Sequence, residues 1–265
     1  GTELEARGGA TLENAGITRV EGGPLRLTDG QLFLAGELQI DGTAGGDARL
    51  ILGDGGTLFV PNGGHLASGS IEAGTGSNVT FSTNGFDFRD GAVLTGAGAM
   101  TFAGPIEVSG ANEGLTIATN VGIDTPTLDG TGRMTVTGAL DVAGTSAFGG
   151  AVIVDGGTLT VGTIDAASTL TLAELTARNG GDVEVSNSGN PVGSTLAVTD
   201  GPALFDGAAL RVSGDANRFE AGGGGLQLQN AATLEVASGL TVSAPAADID
   251  IRDSSVDLTN GLLRF

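Results

Sequence analysis

Short runs of alternating apolar and other residues recur along almost the whole chain. The commonest run has two apolar residues on either side of a single outward residue, and a Gly, Asp or Asn follows it. Alternation with a period of two is typical of a β-strand with one buried face. Each strand would span only about 3–5 residues. Examples are residues 25–27, 50–52, 106–108, 159–161 and 234–236.

The segments between these runs have the composition of tight turns. Gly, Asp and Asn tolerate positive φ and allow the chain to bend sharply. Such turns are also used in the hairpins of antiparallel sandwiches and barrels. Strands this short, spaced this evenly and without a break, favour a coil in which each strand pairs with its equivalent one turn later. Asp-Gly pairs begin at Asp29, Asp41, Asp54, Asp90, Asp129, Asp155, Asp200 and Asp206.

Two segments in the middle of the chain are near copies of each other. Residues 94–110 and 128–144 match at an offset of 34, with Gly96 opposite Gly130 and Met100 opposite Met134. Self-similarity of this kind indicates a stack of like units. The period of 34 does not continue along the chain, so we interpret the two copies as neighbouring rungs that share a loop.

The pattern predicts an all-β fold, a single-stranded parallel β-helix (solenoid) with little or no α-helix. Three strands per rung would use about 22–24 residues, which gives about ten to twelve irregular rungs. The best helical candidate, 163–178, fits a strand better over 169–172. We expect one solenoid domain over 1–265, either a whole protein or a processed part of a longer chain. Leu4 and residues 262–265 would form its uncapped ends.

Composition narrows the range of functions. The chain has 265 residues with a net charge of −20, and 49 of its residues are Gly. All of its basic residues are Arg, which argues against nucleic-acid binding, since that needs a basic surface. The absence of Cys removes disulfides and thiolate chemistry. No apolar run approaches the about 20 residues of a membrane helix, so we expect no membrane insertion.

Candidate catalytic and metal-binding residues are few. His65 is the only histidine, and we interpret it as a polar residue of the Gly63-Gly64 turn rather than as part of a Ser-His-Asp triad. The densest acidic run is 248–253, where alternation places Asp248, Asp250 and Arg252 outward and both isoleucines inward. We expect an ordinary solvent face there, and we predict no enzyme, no catalytic residue and no metal-ligating residue.

Calcium is the one cofactor that the sequence leaves open. The nonapeptide GGxGxDxUx binds Ca²⁺ through turn carboxylates and carbonyls. The runs 45–47 and 180–182 begin like this motif but lack its middle part. We therefore expect no dedicated cofactor site and, at most, loose Ca²⁺ binding where Asp-Gly turns align between rungs.

The phenylalanines fall into two groups. Most of them, Phe81, Phe86, Phe88 and Phe102 above all, are expected to stack in the core. Phe33 and Phe59 instead occupy the central position of their runs, where alternation places them outward, and Ile51 and Ile153 do the same. Outward apolar residues in so acidic a chain suggest lateral packing against another subunit.

The pattern LxGxGxMTVxG at 128–138 and the run GGTLTVG at 156–162 resemble the degenerate repeats of bacterial β-solenoid surface proteins. These include autotransporter passenger domains and filamentous-haemagglutinin-like adhesins. The resemblance implies export, an extended coil, and a role in adhesion or matrix building. It implies no catalytic residues, because the repeat is scaffold.

We therefore expect an extracellular or cell-surface structural or adhesive solenoid. It would self-associate through its ends and lateral patches into a filament, sheath, surface layer or matrix, with a cell-surface component or a glycan as a further target. The alternative is a trimeric solenoid like a phage tailspike or tail fibre that binds or cleaves glycans. The scarcity of aromatic residues, with neither Trp nor Tyr, counts against that alternative.

Overall fold

A computed structural model describes residues 11–21, 23–27, 30–42, 48–82, 85–110, 114–124, 128–162, 167–187, 192–214, 216–237 and 248–259. Over these residues the chain is an all-β parallel β-solenoid without a helix. The predicted fold class is confirmed. The coil has about nine turns rather than about ten to twelve. The expected end strands at Leu4 and 262–265 lie outside these ranges.

The chain divides into two compact units, Gly1–Met134 and Thr135–Phe265. One continuous domain over 1–265 stays a prediction. The strands of the first unit are β1 (Thr11–Asn14), β2 (Thr18–Glu21), β3 (Pro24–Leu27), β4 (Gln31–Leu34), β5 (Leu38–Asp41), β6 (Arg49–Leu52), β7 (Thr57–Val60), β8 (Gly64–Ala67), β9 (Ser70–Ala73), β10 (Asn78–Phe81), β11 (Phe86–Arg89), β12 (Ala92–Phe102), β13 (Ile106–Val108), β14 (Leu115–Ile123) and β15 (Leu128–Asp129).

Strand β16 (Arg133–Val136) lies across the division between the units. The strands of the second unit are β17 (Ala139–Val142), β18 (Thr145–Asp155), β19 (Thr158–Val161), β20 (Thr169–Arg178), β21 (Asp182–Ser186), β22 (Thr195–Val198), β23 (Ala203–Asp206), β24 (Ala209–Ser213), β25 (Arg218–Ala221), β26 (Leu226–Gln229), β27 (Thr233–Val236), β28 (Ile249–Ile251) and β29 (Ser255–Asp257).

In the first unit the strands stack into three parallel ladders, which the chain visits in rotation. The first ladder is β1–β4–β7–β10–β12–β14, and the second is β2–β5–β8–β11–β13–β15. The third is β3–β6–β9–β12–β14. The long strands β12 and β14 belong to two ladders, and their register shifts between Thr95 and Ala99 where they pass from one ladder to the other.

The second unit also contains three parallel ladders. One is β17–β19–β21–β24–β27–β29. The others begin with the two halves of β18 and continue as β20–β22–β25 and as β20–β23–β26–β28. The segment 169–172 is part of β20, so its interpretation as a strand is confirmed.

The length of a turn varies because the corners differ while the strands stay in register. Ala139 pairs with Thr158 in the shortest turn and Leu175 with Ala203 in the longest, a range of 19 to 28 residues. Strands in register one turn apart place apolar side chains above one another. Leu32 lies beside Leu58 and Leu58 beside Val79, and all three are buried.

The two copies are not neighbouring rungs with a shared loop, as the sequence had suggested. Leu94 lies in the third ladder, where its partner in the next turn is Ile117. Leu128 lies in the second ladder, beside Ile106. The same segment is thus used on two different sides of the coil, because 34 residues exceed one turn and fall short of two.

The copies still adopt the same local conformation. Both segments bury the same alternate positions, including Met100 and Met134. Gly96 and Gly130 have positive φ, of 112° and 105°. A Cβ at either glycine would lie 2.1 or 2.2 Å from a carbonyl oxygen of the preceding turn. Each glycine is therefore required both by the backbone conformation and by the close approach of two turns.

The core consists of inward side chains from all three ladders. Burying one Leu, Ile, Val or Phe contributes about 1.5–3 kcal/mol, so repetition along the coil accumulates stability. At one corner Phe81, Phe86, Phe88 and Phe102 are all buried, and their ring centroids lie 4.7–5.7 Å apart. Their predicted place in the core is confirmed.

Candidate functional site

The outward surface of the first ladder in the first unit carries two rows of uncharged side chains. Each strand of this ladder from β4 to β14 contributes one residue to each row, and none of these residues is charged. We call this surface the uncharged face. Its rows are Gln31, Thr57, Asn78, Ala99 and Asn120, and Phe33, Phe59, Thr80, Thr101 and Gly122.

Two phenylalanines form an apolar patch at the β4 end of the uncharged face. Phe33 and Phe59 are partners in register, and their rings stack with centroids 5.2 Å apart and planes 15° apart. The side chain of Phe33 is 37% exposed, although Leu32 and Leu34 on either side of it are buried. The outward orientation that alternation predicts for both residues is confirmed. Their rings contact each other instead of the core.

The second ladder presents the opposite chemistry on its outward surface, which we call the charged face. Its central row carries a positive and a polar residue at one end and three carboxylates in successive turns at the other. Like charges on neighbouring strands destabilise a sheet. The row is Arg19, Gln39, His65, Asp87, Glu107 and Asp129.

A groove of about 340 Å³ lies at the carboxylate end of the charged face. Asp87, Glu107 and Asp129 contribute to its lining, together with Phe86 and Pro105. Asp87 accepts a hydrogen bond of 2.7 Å from Ser109 and lies 3.5 Å from the guanidinium of Arg89. One carboxylate of the groove therefore already has partners from its own face.

His65 lies in strand β8 on the charged face, so the sequence interpretation that placed it in a turn was wrong. Gly63 and Gly64 make the bend with positive φ, and the strand begins at once. The Nε2 atom of His65 lies 2.8 Å from Oδ1 of Asp41 in the preceding turn. The hydroxyl of Ser109, on the same face, donates to Asp87 rather than to His65. These residues form a His–Asp pair without the serine of a triad.

Charged side chains in the second unit pair across successive turns. Arg211 bridges Asp182 and Glu235, one turn before it and one turn after it. Burial lowers the pKa of Arg211, but the two carboxylates more than offset this effect and hold the pKa above its ordinary value. Ionic contacts here run along the coil and connect neighbouring turns.

Asp155 shows the same arrangement at a corner of the second unit. It accepts hydrogen bonds from Asn179 at 2.6 Å and from Arg178 at 2.8 Å. These two hydrogen bonds lower the pKa of the Asp155 carboxyl below its ordinary value. Asn179 has positive φ, as expected for an Asn-Gly turn.

The acidic run 248–253 departs from its expected pattern. Asp250 and Arg252 do form a pair, with Nε of Arg252 2.9 Å from Oδ1 of Asp250. Ile251 was expected to point inward, and its partner Leu228 is buried, yet Ile251 is 43% exposed. This side chain belongs to the last turn that the structure describes, where fewer neighbours cover it.

A row of buried polar groups at one corner of the second unit was missed by sequence reasoning. Ser168, Ser194 and Asn217 are almost completely buried. The backbone N–H of Gly144 donates to Oγ of Ser168, that of Ser168 to Oγ of Ser194, and that of Ser194 to Oδ1 of Asn217. Each turn thereby satisfies a backbone donor of the turn before it. The repeated runs STLTL at 168–172 and STLAV at 194–198 were the available signal.

No metal site emerges from the described residues. Groups of three or more His, Cys, Asp or Glu side chains arranged to hold an ion are absent from those ranges. The motif-like run 45–47 lies outside them, and Asp182 of the run 180–182 pairs with Arg211. Loose Ca²⁺ binding stays a prediction. In the same ranges no helix is long and apolar enough to cross a membrane.

Comparison of the chain with models of protein families, with curated proteins and with solved structures finds no match.

Proposed function

We propose that the chain is a non-enzymatic structural or adhesive protein of the cell exterior that associates with copies of itself. The observation that carries this proposal is the outward Phe33–Phe59 pair, in which Phe33 is exposed and Phe59 is half-buried. The core is filled by other residues, so these two rings are not needed to build the coil. Keeping aromatic surface in contact with water costs free energy that association with a partner recovers.

The last described turn supports contacts between copies along the coil. Ile251 is in register with Leu228 and Val256 with Leu234, and both leucines are buried. Ile251, Val256 and Leu258 are themselves exposed. In an end-to-end contact, a turn of another copy that continued this register would cover them and pair with their strands.

Composition and resemblance support the proposed location. A net charge of −20 keeps a large repetitive surface soluble. The chain has no Cys, so an oxidising exterior has no thiol to oxidise. The repeats at 128–138 and 156–162 resemble those of autotransporter passenger domains and filamentous-haemagglutinin-like adhesins. The location is tested by probing intact and permeabilised cells with an antibody to the chain. Signal only after permeabilisation would contradict it.

Electron microscopy and sedimentation of the purified chain test the association. We expect filaments, bundles or oligomers whose mass grows with protein concentration. A particle that stays monomeric over the whole range of accessible concentrations would overturn the proposal. The same preparations at high and low salt provide a control, because screening of the net charge should promote association.

A further inference from the structure

We propose that the uncharged face of the first unit is the lateral interface, and that it packs against the same face of a second copy. This inference rests on the self-association proposed above and adds the surface and the partner. Two sheets that pack face to face lie about 10 Å apart with their outward side chains interleaved. An interface made by one surface with itself is the usual arrangement of a twofold dimer.

The distribution of charge selects this face. Two copies that each carry −20 repel each other, and a contact that buries carboxylates adds the cost of removing them from water. The charged face would bring Asp87, Glu107 and Asp129 against the same residues of the partner. The third ladder carries Arg26 and Glu72 on its outward surface. Among the ladders of the first unit, only the uncharged face has two outward rows that run through five strands without a charge. The outward rows of β18, β20 and β22 in the second unit are also uncharged, but they extend over three strands.

The other side chains of the uncharged face suit a contact with an identical surface. Thr57, Thr80 and Thr101 present methyl groups next to hydroxyls. Gln31 and Asn78 carry amides, and an amide can both donate to and accept from the same amide of a twofold partner. These polar groups therefore find hydrogen-bond partners across the interface without needing a charged ligand.

The geometry of the phenylalanines favours a protein partner over a sugar. Their rings lie against each other with planes 15° apart, so each ring covers one face of the other. Their remaining faces are directed along the ladder, toward Glu13 on one side and Thr80 on the other. A sugar stacks on an open ring face, whereas ring edges fit between the side chains of a packed sheet.

The size of the face predicts a weak contact that needs repetition. Five strands about 4.8 Å apart, each with four residues at about 3.3 Å, cover roughly 300 Å². A stable interface buries about 800 Å² on each partner. One pair of faces therefore associates weakly, and many pairs in one assembly hold together through multivalency. The Phe pair would supply most of the binding energy.

Because the chain contains no Cys, single cysteine substitutions report this contact cleanly. Thr80→Cys and Thr101→Cys place a thiol on the uncharged face, and Thr116→Cys places one on the outward surface of the third ladder as a matched control. Under mild oxidation we expect disulfide-linked dimers to form about tenfold faster at positions 80 and 101, since the interface raises the effective thiol concentration. Equal rates at all three positions would overturn the inference.

A second pair of variants tests the interface without a cross-link. Thr101→Glu and Thr116→Glu each add one negative charge. Only Thr101→Glu places that charge in the proposed interface, against the uncharged face of the second copy. We expect Thr101→Glu to prevent lateral pairing and so reduce the growth of mass with concentration, and Thr116→Glu to leave that growth unchanged. If wild type never associates, the proposed function fails. If wild type associates and both variants behave like it, only the interface fails. Wild type that stays monomeric but binds a neutral polysaccharide would replace the second copy with a glycan.

Discussion

The uncharged and charged faces of the first unit share one interior pattern and differ only in what they present to solvent. Strands β7 and β10 on one face, and β8 and β11 on the other, all direct apolar side chains inward. Their outward positions carry Phe, Thr and Asn in one case and His, Asp and Arg in the other. A coil of this kind therefore separates the residues that make it fold from the residues that make it bind.

This separation explains why the two faces can differ so strongly without disturbing the ladders. The stacking of turns depends on backbone hydrogen bonds and on inward side chains, and both are alike on the two faces. Outward side chains contribute cross-strand contacts of about 0.2–1 kcal/mol each, so they are free to vary. The following experiments test this separation, from the largest effect to the smallest.

Phe88→Ala should have the largest effect, because this ring lies beneath both faces and contacts Phe81 and Phe102. Loss of a buried Phe costs about 3–5 kcal/mol. The matched change Phe59→Ala removes an outward ring and should cost clearly less. Denaturant unfolding followed by circular dichroism measures both variants. A greater loss at Phe59 would mean that the outward stack, rather than the core, holds these turns together.

The coupling between Phe33 and Phe59 should be smaller but measurable. A double-mutant cycle with both residues changed to Ala, at a protein concentration where the chain is monomeric, should give about 0.5–1.5 kcal/mol, as for other aromatic pairs. The cycle for the in-register pair Thr80 and Thr101 serves as the control and should give less. A coupling of zero would show that the stack contributes nothing within one molecule.

Glu107→Gln should stabilise the charged face by about 0.2–1 kcal/mol at low salt, because it removes the middle member of a like-charged row. The gain should disappear at 1 M salt, where the Debye length is about 3 Å. Asn78→Asp adds a single carboxylate to the uncharged face, where no neighbour in the row is charged, and should show little dependence on salt. Unfolding in low and high salt compares the two. A gain that persists at 1 M would point to a cause other than charge repulsion.

Asp155→Asn should change stability least. It should destabilise the chain, whereas Glu107→Gln stabilises it, because the carboxylate of Asp155 has hydrogen-bond partners. Asn179 and Arg178 lower its pKa from the ordinary value of 3.8, so the ionised form stabilises the fold at neutral pH. That contribution is complete above pH 3.8 and is lost as the pH falls through the lowered pKa. Asp155→Asn should therefore be less stable than wild type at pH 7, with the difference narrowing below pH 3.8. A difference that is independent of pH would show that charge is not involved.

Much of the fold could be predicted from the sequence because alternation marks buried positions directly. The same rule correctly placed Phe33 and Phe59 outward and the other phenylalanine cluster inward. It could not identify the side of the coil on which each strand lies, because the corners vary in length and shift all later strands. This is why the copies at 94–110 and 128–144 were assigned to equivalent rungs and not to different ladders.

The sites were harder to predict than the fold. His65 follows two glycines, which suggested a turn, but its strand begins within that bend. The buried corner of Ser168, Ser194 and Asn217 breaks the rule that polar residues lie outside, because each side chain satisfies a backbone N–H of the turn before it. The uncharged face is invisible in the sequence, since its members lie 21 to 26 residues apart and become neighbours only when the turns stack.

The placement of the two copies on different ladders has a consequence for how such a chain can grow. One strand with its corner behaves as a module, because the conformation around Gly96 recurs around Gly130 on a different ladder. Duplicating one such module in the gene would rotate every later strand onto the next side of the coil. A single insertion could thus move the outward side chains of all later strands to another side of the coil, while the interior would remain packed as before.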